Sequence, residues 1–407
     1  MAGPLSHIRV LDLSRVLAGP WASQNLADLG AEVIKVERPG TGDDSRAFGP
    51  PWVKDRAGHD TKDSAYFTSA NRGKKSITLN IAAPEGQAIA RELALASDVL
   101  IENYKYGDLA RYGLAYDQLR GLNGRLIYCS VTGFGQTGPY RERPGYDFMI
   151  QGMGGMMSVT GEPDDAPGGG PQRAGVPIAD IITGMYASIA ICAALAHRER
   201  TGKGQSLDLA LLDSQIALLA YQNTNYFATG KPPKRIGNLH PNIVPYQPFR
   251  AGDGEVILAC GNDNLYRKFC EAAGCAELAR DARFVTNGKR VENRAELTRL
   301  LAEVFKKRSK REWLELLEAA GVPNGPINDV AQVFEEPQVK ARGVRIELEH
   351  AGAGKLPLVA SPMRFSETPV EPRLAPPLLG QHTDEVLRGL LAKSDAEIAR
   401  LRAGGVI

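Results

Sequence analysis

"IRVLDLSRVLAGPWASQNLADLGAEVIKVERPG", residues 8–40, is the stretch whose reading decides the fold. A strand-like run from Ile8 to Ser14 is followed by a short helix, "WASQNLADLG", that stops at Gly30. A second strand, "AEVIKVERPG", then closes in a turn. The apolar spacing changes from strand to helix and back within this one segment. The pattern recurs: "KSITLNI" reads as a strand, "PEGQAIARELALAS" as a helix opened by Pro84, "DVLIENY" as a strand, "YDQLRGLN" as a helix, and "RLIYCSVTGFG" as a strand ending in glycines. Strands and helices alternating through short connections predict an α/β fold, a doubly wound parallel sheet covered on both faces. Ligands in such sheets bind beyond the carboxyl ends of the strands. The loops "SRVLAGP", "ERPGTGDDSR", "ENYKYGDLAR" and "GFGQTGPYRERPGYD" are therefore where a site is expected.

Composition narrows the functional classes. The 407 residues are 43% hydrophobic and 24% charged, enough for two domains with their own cores. The 49 basic and 47 acidic residues are spread without long like-charge runs, which argues against bulk attraction to nucleic acid or an anionic membrane. The apolar run from Ile181 to Ala196 is short for a membrane span and carries Thr183, Gly184 and Ser188. The N-terminus lacks the basic and apolar regions of an export signal, so a cytoplasmic location is expected. Five cysteines with no CxxC pair fit reduced thiols, and the six scattered histidines form no metal-ligand pattern.

Past the apolar helix the texture changes. Residues 1–213 read as the N-terminal part of a large domain, and 214–245, with "GKPPKRIGNLHPNIVPY", as an extended linker. Residues 246–321 read as a smaller α+β domain: a hairpin in "PFRAGDGEVILACG" and two amphipathic helices in "RAELTRLLAEVFKKRSKREWLELLEAAG". A Pro-rich return linker is expected over 322–350, and the C-terminal part over 351–407.

Among candidate site residues, Asp180 stands out as a single carboxylate at the mouth of "IADIITGMYASIAICAALA". Aspartate is a good N-cap, accepting from the first amides of a helix. The same position suits a covalent nucleophile, because a carboxylate beside an apolar body and short of counter-ions can attack an activated acyl group. "GMGGMMSVTG" and "PGGG" could bring backbone amides near a substrate, although neither matches GxGxxG. Arg38 and Arg111 lie just beyond strand ends and, with "NRGKKS", could grip a phosphorylated handle through the planar guanidinium fork.

Nine segments in order, among them "LDLSRVLAGP", "LADLGAEVIKVERPGTGDDSR", "NRGKKSITLN", "SDVLIENY", "RLIYCSVTGFGQTGPY", "AGVPIADIITGMYA" and "PPLLGQHT", resemble the class III (CaiB/BaiF, formyl-CoA transferase-like) coenzyme A transferases over nearly the whole chain. The resemblance implies a Rossmann-like large domain completed by the C-terminal residues, a smaller domain joined by long linkers, and an interlocked-ring homodimer. It places Asp180 at the family's catalytic aspartate, which carries mixed-anhydride and aspartyl-CoA thioester intermediates. It makes the main-chain amides of Leu17 and Ala18 oxyanion donors, with Tyr146 and Asp147 lining the active-site approach. Arg38, Leu79, Asn103, Tyr104 and Arg111 match coenzyme A positions; acyl-CoA is then a substrate, and no tightly bound cofactor or metal is expected. Related racemases carry a histidine where this chain has Tyr146, which favours acyl transfer over proton abstraction at the α-carbon.

"GNLHPNIVPYQPF", "GVPNGPINDVAQVFEEPQV" and "PPLLGQHT" most resemble the branch acting on dicarboxylic acids of the succinyl-CoA:glutarate type. The distal carboxylate of such an acid needs a cation or strong donors, and Arg46, Asn238 and His240 are the candidates. Arg46 pairing with Asp43 or Asp44 to close its own loop is the competing reading. An α-methylacyl-CoA racemase, a formyl-CoA or carnitine-type transferase, a nicotinamide dehydrogenase and a non-catalytic CoA-binding protein are the rival functions.

Overall fold

Six short apolar segments pair side by side: β1 (Arg9–Asp12), β2 (Glu32–Glu37), β3 (Lys74–Thr78), β4 (Val99–Glu102), β5 (Ile127–Thr132) and β6 (Ser206–Ala210). The computed structural model, which describes residues 3–407, shows every neighbouring pair in this sheet to be parallel, in the order β3-β2-β1-β4-β5-β6. That order is the Rossmann one, and it reverses direction between β1 and β4, where the loops after those strands splay apart.

Alternation along the strands sends side chains to two covered faces. Val10, Val33, Val99, Ile101, Ile127 and Cys129 belong to one buried cluster, and Leu11, Ile34, Leu100 and Tyr128 to the other. Helix α1 (Ala18–Asp28) packs on the first face and α2 (Pro84–Leu95) on the second. Helices α3 (Asp147–Met153) and α4 (Ile178–Thr201) join α1. Helices α5 (Leu211–Leu218) and α6 (Tyr221–Thr229) follow β6. Near the C-terminus, α7 (Thr383–Leu391) and α8 (Asp395–Ala403) lie beside α2, contributing Val386, Leu387, Ile398 and Leu401 to the second cluster.

These elements form one compact unit, assembled from residues up to 156, 174–229 and 337–407. A second unit holds 157–173 and 230–336. There, the expected hairpin is present as Tyr246–Arg250 against Glu255–Ala259, with Asn324–Pro326 as a third strand. The expected amphipathic helices, Arg294–Phe305 and Lys310–Ala319, bury Phe305 and Trp313, with Phe305 stacked on Phe249, Phe269 and Trp313.

Helix α4 is longer than its sequence suggests: it runs 24 residues, and an 18-residue window within it has a mean hydropathy of 1.8, long and apolar enough to cross a membrane, where the run was expected to fall short. Its small residues Ala179, Gly184, Ala187 and Ala194 are buried in the fold, whereas Met185, Tyr186 and Ile189 are exposed. It stops at Gly202, a left-handed C-cap. Gly184 sits where α4 crosses the start of α1. A Cβ there would lie 2.6 Å from the Ala18 carbonyl oxygen, so only glycine permits this approach.

Both stretches read as linkers contain regular structure. Residues 214–229 hold the end of α5 and all of α6, because the apolar "IALLAYQNTNYFAT" favours helix and the Pro/Gly composition begins only after it. Within 322–350, Asp329 accepts from Gln332 N–H and starts a helical turn, Val330–Glu335. Arg345–His350 then pairs with Gly354–Val359 as a hairpin.

Candidate active site

Asp180 occupies the third position of α4 and is not its cap. Pro177 stands at the N-cap and offers no side-chain acceptor. Asp147, the buried first residue of α3, supplies the missing cap from another element. Its Oδ1 accepts from the N–H of Ala179 at 2.8 Å and of Asp180 at 3.3 Å, and its Oδ2 accepts from Gln151 Nε2 at 2.7 Å. The capping role open to Asp180 in the sequence therefore falls to Asp147. Among the described residues no donor is bonded to the Asp180 carboxylate, which is half-buried and lines a cavity. Burial, and then the charge of Asp147, push the Asp180 pKa up to about 7. A carboxylate of that basicity is a stronger nucleophile than one in water.

The cavity faces the loop between β1 and α1. Leu17, the N-cap of α1, and Ala18, its first residue, both line it, and no side chain caps that helix among the described residues. The amides of the first turn, at the positive end of the helix, are thus open toward the same space as Asp180. Their placement rests on a buried polar network. Val16 is held at φ 69°, unusual for a β-branched residue, with its N–H donated to Asp43 Oδ1 at 3.1 Å. Lys35 Nζ donates to the Ser14 carbonyl at 2.9 Å and pairs with Asp43 at 2.7 Å, fully buried. Asn103 clamps Arg15 from both sides, accepting from its N–H at 2.9 Å and donating to its carbonyl at 2.7 Å. Asp12 accepts from Ser14 and Ser23 and pairs with Lys74 at 3.2 Å. Burial alone would drive the Lys35 pKa down, but Asp43 and Asp12 hold it above its usual value. Asp43 is correspondingly held well below the carboxylate range, against its own burial, chiefly by Lys35.

Of the other residues marked in the sequence, Asn103, Tyr104 and Tyr146 line the cavity. Tyr146 is the N-cap of α3 and 71% exposed. Arg38 is exposed just past β2, and its charge is felt at Tyr104. Arg111 is exposed and paired with Asp108 at 2.7 Å. Leu79 is a buried core side chain, so only its backbone is available to a ligand. Asn238 and His240 belong to the second unit, where His240 Nδ1 accepts from Asn242 N–H at 3.1 Å.

Arg46 is corrected. Its guanidinium is buried, bonded to both Glu37 oxygens at 2.7 and 2.8 Å, to Asp63 at 2.7 Å and to the Pro377 carbonyl at 3.0 Å. It also lies over the Phe67 ring, 3.7 Å from the centroid. With its donors engaged and its side chain outside the Asp180 cavity, it is a structural residue. Its partners are Glu37 and Asp63 rather than Asp43 or Asp44.

Several residues of the site escaped the sequence reading. Tyr66, half-buried on the turn Ala65–Thr68, has its pKa raised to about 12 by burial and then by the charges of Asp180 and Asp147, so its phenol stays a proton donor beside them. Its segment, "SAYFTSAN", carries no spacing that points at Asp180. The cavity also holds cations: Arg15, Lys105, Arg141 and Arg143. Its volume of about 210 Å³ suits the reacting end of a substrate rather than a whole coenzyme. A larger cavity of about 370 Å³, beside Asp28 and Arg72, has those two charges paired with each other.

A Rossmann-order sheet thus carries, beyond its strand ends, one cavity lined both by a carboxylate held basic by burial and by the first residues of an uncapped helix. Residues 5–383 match the model of CoA-transferase family III. The chain is 50% identical over 387 residues to succinate–glutarate CoA-transferase of Agrobacterium fabrum, covering 95% of this chain and 96% of that one. It is 44% identical over 404 residues to succinyl-CoA:glutarate CoA-transferase of Homo sapiens, covering 99% and 90%. The crystal structure of a CaiB/BaiF family protein from Brucella suis superposes with a TM-score of 0.82 at 50% identity, covering 96% of this chain and all of that one. The protein belongs to CoA-transferase family III.

Proposed function

We propose that this chain transfers coenzyme A from succinyl-CoA to a free dicarboxylic acid of the glutarate type, with Asp180 as the covalent nucleophile. The carrying observation is the Asp180 carboxylate itself: accessible, without a hydrogen-bond donor among the described residues, and sharing a cavity with the first-turn amides of α1. The names of the Agrobacterium fabrum and human relatives supply the substrate class.

In this reading Asp180 attacks the thioester carbonyl, the amides of Leu17 and Ala18 receive the tetrahedral oxyanion, and collapse expels CoA thiolate to leave a mixed anhydride. The thiolate returns to the Asp180 carbonyl, releasing succinate and forming an aspartyl-CoA thioester. The acceptor carboxylate attacks that thioester and expels the thiolate again. Attack of the thiolate on the acceptor's carbonyl then gives the new acyl-CoA and regenerates Asp180. No net proton or redox equivalent is needed. The anhydrides must be kept from water, which a narrow cavity favours.

Arg38, Asn103, Tyr104 and Arg111, with the Leu79 backbone, are assigned to coenzyme A. Arg141 and Arg143, within the cavity, are assigned to the distal carboxylate in place of Arg46. Tyr146 in place of a base histidine supports transfer over racemisation. The chain is proposed to act as an interlocked homodimer.

The test mixes the protein with succinyl-CoA and a panel of acids including glutarate, itaconate, malate, oxalate, carnitine and acetate, and reads new thioesters by mass spectrometry. Thioesters from the diacids are expected, and Asp180→Ala should make none. Transfer to monocarboxylates alone, or turnover by Asp180→Ala, would overturn the reading.

A further inference from the structure

We propose that Asp147 is a positioning residue for the nucleophile: it caps helix α4 from outside that helix, fixes the backbone at Asp180, and stations a second carboxylate beside it. The inference rests on the reading of Asp180 as the nucleophile.

The argument begins with what α4 lacks. A helix N-terminus presents amides without intrahelical partners, and a local Ser, Thr, Asp or Asn usually serves one of them. Here the N-cap is Pro177, which has no side-chain acceptor, and Asp180 does not turn back to its own helix. Asp147 accepts from Ala179 and Asp180 N–H instead. Its other oxygen is held by Gln151, whose Oε1 in turn accepts from Ala174 N–H at 2.9 Å. The chain Ala174–Gln151–Asp147–Ala179 thus ties the segment before α4, and its first turn, to α3.

Two consequences for the chemistry follow. A cap supplied by Asp147 leaves the Asp180 carboxylate free for substrate, which a self-capping aspartate would not be. A fixed negative neighbour also disfavours a second negative charge, so Asp180 is kept more basic than burial alone would make it. The groups facing Asp180 are Asp147 from α3 and Tyr66 from the turn Ala65–Thr68. Around the shared cavity stand Arg15 paired with Asp44, Asp108 paired with Arg111, and Lys105, Arg141 and Arg143. The cations act in the opposite sense to Asp147, so removing the Asp147 charge should move the balance in one direction only.

The experiment compares wild type with Asp147→Asn and Asp147→Ala, using succinyl-CoA and glutarate across pH 5 to 9. Hydroxylamine is added to cleave the aspartyl-CoA thioester, releasing CoA thiol and leaving a hydroxamate that peptide mass spectrometry locates. Asparagine keeps an oxygen for the two amides but carries no charge, and its NH2 takes the place of the oxygen that accepts from Gln151 Nε2, so that bond goes with the charge. Asp147→Asn should hold the KM for succinyl-CoA within about threefold while the acidic limb of the kcat profile moves down by about one pH unit. Asp147→Ala, losing the cap as well, should lower kcat about a hundredfold with a much smaller change in KM. An acidic limb that stays in place in Asp147→Asn overturns the proposal, and this variant alone decides if Asp147→Ala does not fold. Hydroxamate at Asp180 together with an unmoved limb overturns only the role of Asp147. Hydroxamate at another residue in wild type overturns the nucleophile assignment, and the proposal with it.

Discussion

Arg46 and Asp180 are both ionisable groups withdrawn from bulk water, and their surroundings give them opposite uses. Arg46 has a partner for each of its donor nitrogens, so its burial is compensated and its charge is inert. Arg46→Ala should cost about 3–5 kcal/mol by leaving Glu37 buried without its cation. The soluble fraction should show an unchanged acceptor KM, checked by denaturant unfolding and steady-state kinetics. Asp180 has no such partner among the described residues, and burial together with Asp147 raises its pKa to about 7. Because the ionised form is the nucleophile in the proposed mechanism, kcat should fall as pH drops below about 7, approaching tenfold per unit. The sign for stability is the reverse. A carboxyl with a raised folded pKa favours the fold below its unfolded pKa of 3.8, and that contribution is lost as pH rises through about 7. Asp180→Asn should therefore stabilise the fold by a few kcal/mol at pH 8 and by little at pH 4. Unfolding at both pH values measures this, and equal shifts would show that Asp180 is not held basic. Asp180 was legible in the sequence because it interrupts an apolar run inside a family motif. The alternative partners of Arg46 were not, because Asp63 and Pro377 reach it only through the fold.

At the scale of elements, the strand and helix alternation and the parallel sheet were readable because each unit is local, whereas the strand order came only from the structure. What could not be read is how two helices meet. Gly184 lies one turn beyond Asp180 and lets α4 approach the Ala18 carbonyl, so one contact carries the proposed nucleophile to the amides proposed as oxyanion donors. No spacing in "IADIITGMYA" distinguishes this glycine from a merely tolerated one. Gly184→Val must push the helices apart, since its Cβ would otherwise sit 2.6 Å from that oxygen. The expected outcome is a folded protein with kcat lowered at least tenfold and succinyl-CoA still bound, because a displacement of about 1 Å at a reacting centre can cost on the order of a hundredfold. Kinetics alongside calorimetric binding of succinyl-CoA separates this from unfolding. Full activity in Gly184→Val would show that the α1–α4 contact does not set the site. The helices within 214–229 were hidden for a different reason: the prolines and glycines after Thr229 dominate the composition of a segment whose first half is apolar.

At the scale of the whole molecule, the first unit is built from three separate stretches of chain, and its surface is not finished. Met185, Tyr186 and Ile189 on α4, Ile216 on α5, and Tyr221 and Phe227 on α6 are large apolar side chains left exposed, Phe227 at 77%. A run of such residues along consecutive helices is characteristic of a surface that another chain covers. Fully burying such a side chain from water is worth roughly 1.5–3 kcal/mol; these are 40–77% exposed, so each would add about half of that, enough in sum to make the proposed dimer an obligate species. Sedimentation at micromolar concentration should therefore show a dimer and no monomer, and Ile189→Asp should abolish the soluble dimer. An ordinary dimer and an interlocked one differ in how they exchange. Subunits that merely pack can dissociate and re-pair, whereas threaded chains must unfold first. Tagged and untagged protein, mixed under native conditions and diluted for hours, should yield no mixed dimer by affinity capture, and the same mixture refolded together from denaturant should yield it. Mixed dimers forming without denaturant would leave the apolar helices as an interface but remove the threading, and a folded, active monomer would remove both.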